Sequence, residues 1–208
     1  MPCYEIDGVV PVVEPNAYVH PDAVLIGDVI VESGCYIGPL ASLRGDLGRI
    51  IVGAGSNVQD CCVLHSFPGR DLTLAPESHI GHAAVLHGCT VETKVMIGMN
   101  AVVMDDAVVG EESLVGANSF VPAGTVIPPR SLVAGNPAKV VRTLDDQTLA
   151  WKANGLRVYQ NLAVRSLASL RPAEPLTAVE VDRHRVQTGR DVSSPLHEFK
   201  STRSEVRG

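Results

Sequence analysis

An aliphatic residue recurs every six positions along most of this chain, and no other feature restricts the fold as tightly. The ranks run Val19, Leu25, Val31, Ile37 and Leu43. After a three-residue insertion come Val52, Val58 and Leu64, and after a four-residue insertion Leu74, Ile80 and Leu86. One residue is then lost, and Val91, Ile97, Val103, Val109, Val115, Val121, Ile127 and Val133 follow without a break. Eight aliphatic residues in phase arise by chance on the order of one time in a thousand. Two positions before the ranks sit small or apolar residues, among them Ala17, Ala23, Cys35, Ala41, Cys62, Ala84, Cys89, Ala101, Ala107, Ser113 and Ser119. Neither position carries a charge.

Helical and simple strand periods do not produce an uninterrupted six. A hexapeptide β-helix does, with three short parallel strands per coil and coils stacked at strand spacing, ~4.8 Å. The expected architecture is all-β: a left-handed parallel β-helix shaped as a triangular prism, with a C-terminal α-helix packed on it. The aliphatic rank points inward, and the small residue lies near a corner where a larger side chain would clash. Cys35, Cys62 and Cys89 are thereby read as small buried residues. Gly38, Gly98, Gly110 and Gly116, which follow ranks, suit tight turns.

The composition agrees, with 45% hydrophobic residues but only 4% aromatic, as a thin aliphatic core requires. The period stops near Ala134–Ala138. Asp145-Asp146 opens a helical pattern to about Leu170, with Leu149, Leu156, Tyr159, Leu162, Ala163 and Leu167 near helical spacing. Its acidic start and Arg165 near its end suit the helix dipole, and Gly155 is a candidate kink. The organisation read from this is a β-helix over 1–140, a helix over 141–171 and an extended, partly disordered tail over 172–208. The net charge of −6 gives no reason to expect nucleic acid or an anionic membrane as partner. Five cysteines without disulfide or CxxC spacing, no signal-peptide pattern and no membrane-length apolar run point to a cytoplasmic protein.

Four of the seven histidines fall between Asn57 and Cys89. Residues three ranks apart stack directly, so Arg44, His65 and His87 form one column. Asp60 and His82 form another, about a side of the triangle away. His65 and His87 of one chain are placed to share an ion, whereas His82 reaches it poorly. Three prisms about a three-fold axis would bring His82 of one chain to His65 and His87 of the next. The simpler reading, a solvated or hydrogen-bonded ring, is preferred for His20, His184 and His197, and a structural role for His79. Arg44 and Asp46 read equally well as an interface ion pair. Gln59 and Asp60 are either assembly contacts or groups that orient the site.

The segments Leu43-Arg44-Gly45-Asp46, Asn57-Val58-Gln59-Asp60, His65, Gly81-His82 and Leu86-His87-Gly88-Cys89 resemble the γ-class carbonic anhydrase family. That resemblance implies a homotrimer with Zn2+ (or Fe2+ or Co2+) held by His65, His82 and His87, with His82 supplied by the neighbouring subunit. It implies that Gln59 and Arg44 lie beside the metal water, that Arg44, Asp46 and Asp60 knit the interface, and that Tyr159 reaches the pocket. Asn57 completes the set of candidate site residues. A closer likeness, through Ile6-Asp7-Gly8, Val24–Ile30, Met99–Asp105, Trp151–Gln160 and Glu174-Pro175-Leu176, is to bacterial phenylacetate-degradation and carnitine-operon hexapeptide proteins. It implies a metal-dependent thioesterase acting on acyl-CoA. Leu47 after Asp46, and a short loop 66–73 whose only carboxylate is Asp71, make fast hydration of CO2 or its reversal from bicarbonate the lesser expectation. Two other classes are open: a CoA-dependent acyltransferase, which needs a metal-free catalytic histidine, and a non-catalytic regulatory trimer with a structural metal.

Overall fold

The computed structural model describes residues 3–186, 193–196 and 198–199. The chain winds into a left-handed parallel β-helix of about seven coils, followed by one long helix. The aliphatic ranks become three inward columns. Leu25, Leu43, Leu64, Leu86, Val103 and Val121 pair in register down one face. Val31, Val52, Leu74, Val91, Val109 and Ile127 line the second. Val19, Ile37, Val58, Ile80, Ile97, Val115 and Val133 line the third. All but Val19 are almost wholly buried. Each such side chain withdrawn from water stabilises the fold by roughly 1.5–3 kcal/mol. The register carries through both insertions, which leave the column as corner loops or as the long turning strand Ser42–Val52.

The corners correct one expectation. Gly38, Gly98 and Gly110 are not left-handed; other residues take that conformation, including Leu40, Cys61, Ala83, Asn100 and Asn118 down one corner and Glu77, Lys94, Glu112 and Arg130 down another. From Cys61 and Glu77 onward these residues donate their backbone N–H to the coil before, as Cys61 does to Pro39 and Lys94 to Pro76. The glycines are instead required by stacking. A Cβ at Gly38 would lie 2.5 Å from Asp60 Oδ1, and one at Gly98 2.5 Å from the Ala117 nitrogen. The buried cysteines are as expected: Cys35 donates to the Gly53 carbonyl at 3.2 Å and Cys62 to that of Gly81 at 3.1 Å. Burial pushes both thiols up to about 12, so neither is a ready nucleophile.

After the last coil the strands Ser131–Gly135 and Ala138–Thr143 form an antiparallel hairpin that the lapse of the repeat did not reveal. The helix α1 then spans Asp146–Ser169. Asp145 caps it, accepting from the Thr148 N–H at 2.7 Å and its hydroxyl at 2.6 Å, a device worth about 1 kcal/mol. The helix runs back along the prism. Arg130 of the last coils meets Asp146, Lys152 meets the Glu112 and Ser113 carbonyls, Gln160 meets the Gly55 carbonyl, and Ala163 packs by Tyr18 and Tyr36 of the first coils. The buried side chains are Thr148, Lys152, Leu156 and Ala163. Leu167 is exposed, Arg165 falls short of the last turn, and the helix continues through Gly155, contrary to the simple sequence pattern. Residues 171–186 carry no helix or strand and are exposed. The expected disorder does not hold at Ser194 and Phe199, whose carbonyls accept from Trp151 Nε1 at 2.9 Å and Gln147 Nε2 at 3.4 Å on α1; the chain's end beyond Phe199, and His197, lie outside the described residues. Among the described residues no helix is long and apolar enough to cross a membrane.

Candidate functional site

The coil register sets His65 directly beside His87, since Leu64 pairs with Leu86 beneath them. Four side chains join in a line on the outer surface. Asp46 Oδ1 lies 3.0 Å from His65 Nε2, His65 Nδ1 lies 3.2 Å from His87 Nε2, and His87 Nδ1 lies 2.6 Å from Asp105 Oδ1. Arg44 Nη2 also approaches His65 Nε2, at 3.1 Å, and Arg44 pairs with Asp46 at 3.5 Å. Phe67 sits edge-on over His87, with ring centroids 5.0 Å apart.

Donor and acceptor rules restrict the protons to two arrangements, one with a neutral pair of rings and one with an added proton on His65. A carboxylate only accepts, so Asp105 takes the N–H of His87 Nδ1, and His87 Nε2 is left with its lone pair. His65 Nδ1–H donates into that lone pair. In the neutral pair, His65 Nε2 is then an acceptor and takes its bond from Arg44. A proton added at Nε2 turns the same atom into a donor, and Asp46 is already in place to receive it. The column is thus a basic nitrogen with a stand-by carboxylate for its charged form, and with its tautomer set from behind by His87 and Asp105. That is the logic of an oriented general base.

His82 stands apart, with the corner residue Asp60. Asp60 Oδ2 pairs with His82 Nδ1 at 3.1 Å, and the Tyr159 hydroxyl lies 3.3 Å from His82 Nε2. These residues lie at the opposite end of the face from His65 and His87. The three expected metal ligands therefore do not converge within one chain, and the described residues contain no group of three His, Cys, Asp or Glu side chains able to hold a metal ion. Gln59 and Asn57 turn inward: Gln59 donates to Asn57 Oδ1 at 3.0 Å, and the two amides flank His79 at 2.8 and 3.3 Å. His79 also meets the Tyr159 ring edge-on at 5.3 Å. Burial, aided by His82 and Lys152, lowers His79 to about 4, so the ring is neutral and structural, as its sequence reading holds. Burial first, then Asp60, Tyr36 and Cys62, raises Tyr159 to about 12, leaving a neutral hydroxyl.

Three participants escaped the sequence reading. Asp105 lies one residue beyond Met104, the position that stacks on His87, and it reaches back to the ring; the nearest carboxylate beyond that rung was the available signal. Phe67 lies in an insertion that the repeat does not register. Lys152 looks like a solvent-facing helix lysine until α1 is docked.

A parallel prism of stacked hexapeptide coils defines a hexapeptide-repeat protein. Residues 88–123 match the family described as bacterial transferase hexapeptide (six repeats). The carnitine operon protein CaiE of Citrobacter koseri is 53% identical over 187 residues, covering 90% of this chain and 95% of that protein. The chain belongs to the CaiE family of hexapeptide-repeat proteins. Among solved structures, a candidate acetyltransferase of Bacillus cereus superposes with a TM-score of 0.79 at 31% identity, covering 80% of this chain and 96% of the other. A hexapeptide transferase family protein of Anaplasma phagocytophilum gives 0.76 at 33%, covering 79% and 97%. These likenesses overturn the expectation of a metal-water hydrolase. The similar structures are described as transferases and the curated relatives as carnitine operon proteins, so the thioesterase and CO2 readings fall. The acyltransferase, held as the alternative on sequence, is the better supported of the two.

Proposed function

We propose that this protein is a CoA-dependent acyltransferase in which His65 is the general base. The observation that carries the proposal is the hydrogen-bonded line Asp105–His87–His65, which favours the His65 tautomer with Nε2 as the basic nitrogen, set between Arg44 at 3.1 Å and Asp46 at 3.0 Å. His65 Nε2 removes the proton from an acceptor hydroxyl or amine. The acceptor oxygen or nitrogen attacks the thioester carbonyl, the carbon–sulfur bond breaks, and CoA leaves as a thiolate that takes up a proton. The imidazolium formed on the way is met by Asp46. Arg44 is freed at that moment and is suited to an anionic group of either substrate. Tyr159 and Asp60 hold His82, while Asn57 and Gln59 hold His79; their roles are positional.

Hexapeptide-repeat proteins are typically trimers. Leu40, Leu47, Val63, Phe67 and Met99 stand exposed near the two histidine sets, which supports a homotrimer with this surface covered by a second copy. Zinc remains a separate proposal, confined to binding. Loss of the shared proton leaves His65 Nδ1 and His87 Nε2 facing one another, and an ion there needs a third nitrogen, which His82 of a neighbouring chain would supply. Fe2+ or Co2+ fits the same donors. A cytoplasmic location is likewise our inference.

The test is thiol release from acyl-CoA by metal-free protein, with and without hydroxyl or amine acceptors. Acceptor-dependent release, reduced by Asp105→Asn, supports the proposal; release to water alone, or none with any acceptor, rejects it. Elemental analysis of the protein as isolated tests the zinc proposal independently.

A further inference from the structure

Beneath α1, away from the histidine column, lies a cavity of about 150 Å³. Val95, Met96, Leu149 and Leu156 give it an apolar body, and Lys152, Glu112, Glu77, Lys94 and His79 supply its polar groups. We propose that this cavity binds a small monocarboxylate with a short apolar tail, the carboxylate bonding to Lys152 Nζ. The inference does not depend on the acyltransferase reading.

Lys152 is the reason for an anion. It is 6% exposed, and its ammonium donates to the carbonyls of Glu112 and Ser113. An ammonium has three N–H donors, and among the described residues the third has no partner. A buried donor left unmet costs free energy that a ligand carboxylate restores through a charge-assisted bond. The charges around the cavity are mixed. Glu112 Oε2 lies 3.5 Å from Arg130 Nε, which Asp146 also holds, and the Glu112 carboxylate acts on Lys152 as well. His79 is neutral and tied to Asn57 and Gln59. Lys152 is the buried cation with a donor to spare. Burial lowers it only to about 8, so it is charged at neutral pH. A cavity of this volume accepts about six heavy atoms, the size of benzene or butyrate.

Met96 provides the probe. The chain has four methionines, the Met96 methyl lies at the cavity beside Gly155, and exposed Met99 serves as an internal control. Full-length protein labelled at its methionine methyls is titrated with sodium butyrate, n-butylamine and 1-butanol and followed by NMR. The expected result is a saturable shift of Met96 and not of Met99, with butyrate the tightest of the three. Lys152→Met should weaken butyrate by about tenfold or more. Ala153→Phe, which keeps Lys152 and adds bulk at an exposed lining position, should do the same in a protein with an otherwise unchanged spectrum. Butylamine or butanol binding as well as butyrate, butyrate binding untouched in both variants, or no saturable shift of Met96 overturns the proposal.

Discussion

His65 and His79 stand on neighbouring faces of the same prism, each carried by a short parallel strand and stacked on the coils beside it. His65 meets Asp46 and His87, and through His87 a second carboxylate. His79 meets two amides and a tyrosine ring under the helix. One ring is therefore equipped to gain a proton, whereas the other is kept from doing so. The strands are nearly interchangeable, so the backbone does not make this difference. What covers the face does: α1 closes over His79, and the column of His65 is left to meet something from outside.

The largest expected effect separates the two rings by activity. His65→Ala should lower acyl transfer by about 10²–10⁴-fold, the usual contribution of a general base, with the urea midpoint little moved. His79→Gln should keep most of the rate. Equal losses from both would mean that His65 acts through the fold and not on the substrate.

The second contrast concerns pH. The His79 ring binds a proton only below about 4 in the folded protein and near 6.5 when unfolded. Between those values the unfolded chain holds more protons, so stability falls as pH drops from about 6.5 to about 4. Lys152 gives the same sign at the alkaline end. Its folded value of about 8 lies below 10.5, so stability rises with pH between them. Urea unfolding across both ranges should show the two slopes. His79→Gln should flatten the acid one and Lys152→Met the alkaline one; slopes that persist in the variants assign them to other groups. The smallest effect belongs to the exposed ion pair of Arg130 and Asp146, where Arg130→Ala should cost no more than about 1 kcal/mol in the same measurement.

The repeat made the core legible to the residue, because an inward position in a β-helix admits one kind of side chain and recurs at a fixed count. All three columns, and the pairing of His65 with His87, follow from that count. The role of the glycines did not follow. Spacing alone does not separate a residue needed for its φ angle from one needed because the next coil passes too close, as Gly38 and Gly98 show. The hairpin after Gly135 was hidden because it abandons the period. Asp105 and Phe67 were missed because they join the site from an adjoining turn and from an insertion, where the count is silent. The function was misread for a related reason: three histidines in suitable register suggested an ion, while the bond from His87 to Asp105 that favours a base is invisible without coordinates.

The backward course of α1 has one more consequence. A solenoid contacts only its nearest neighbours, so its end coils can peel away while the middle persists. Here a single helix of 24 residues, about 36 Å long, touches both the last coils and the first. Peeling either end must also detach the helix, which in turn loosens the opposite end. The strap converts a stack of nearly independent layers into a closed circuit, in which the two ends of the prism unfold together.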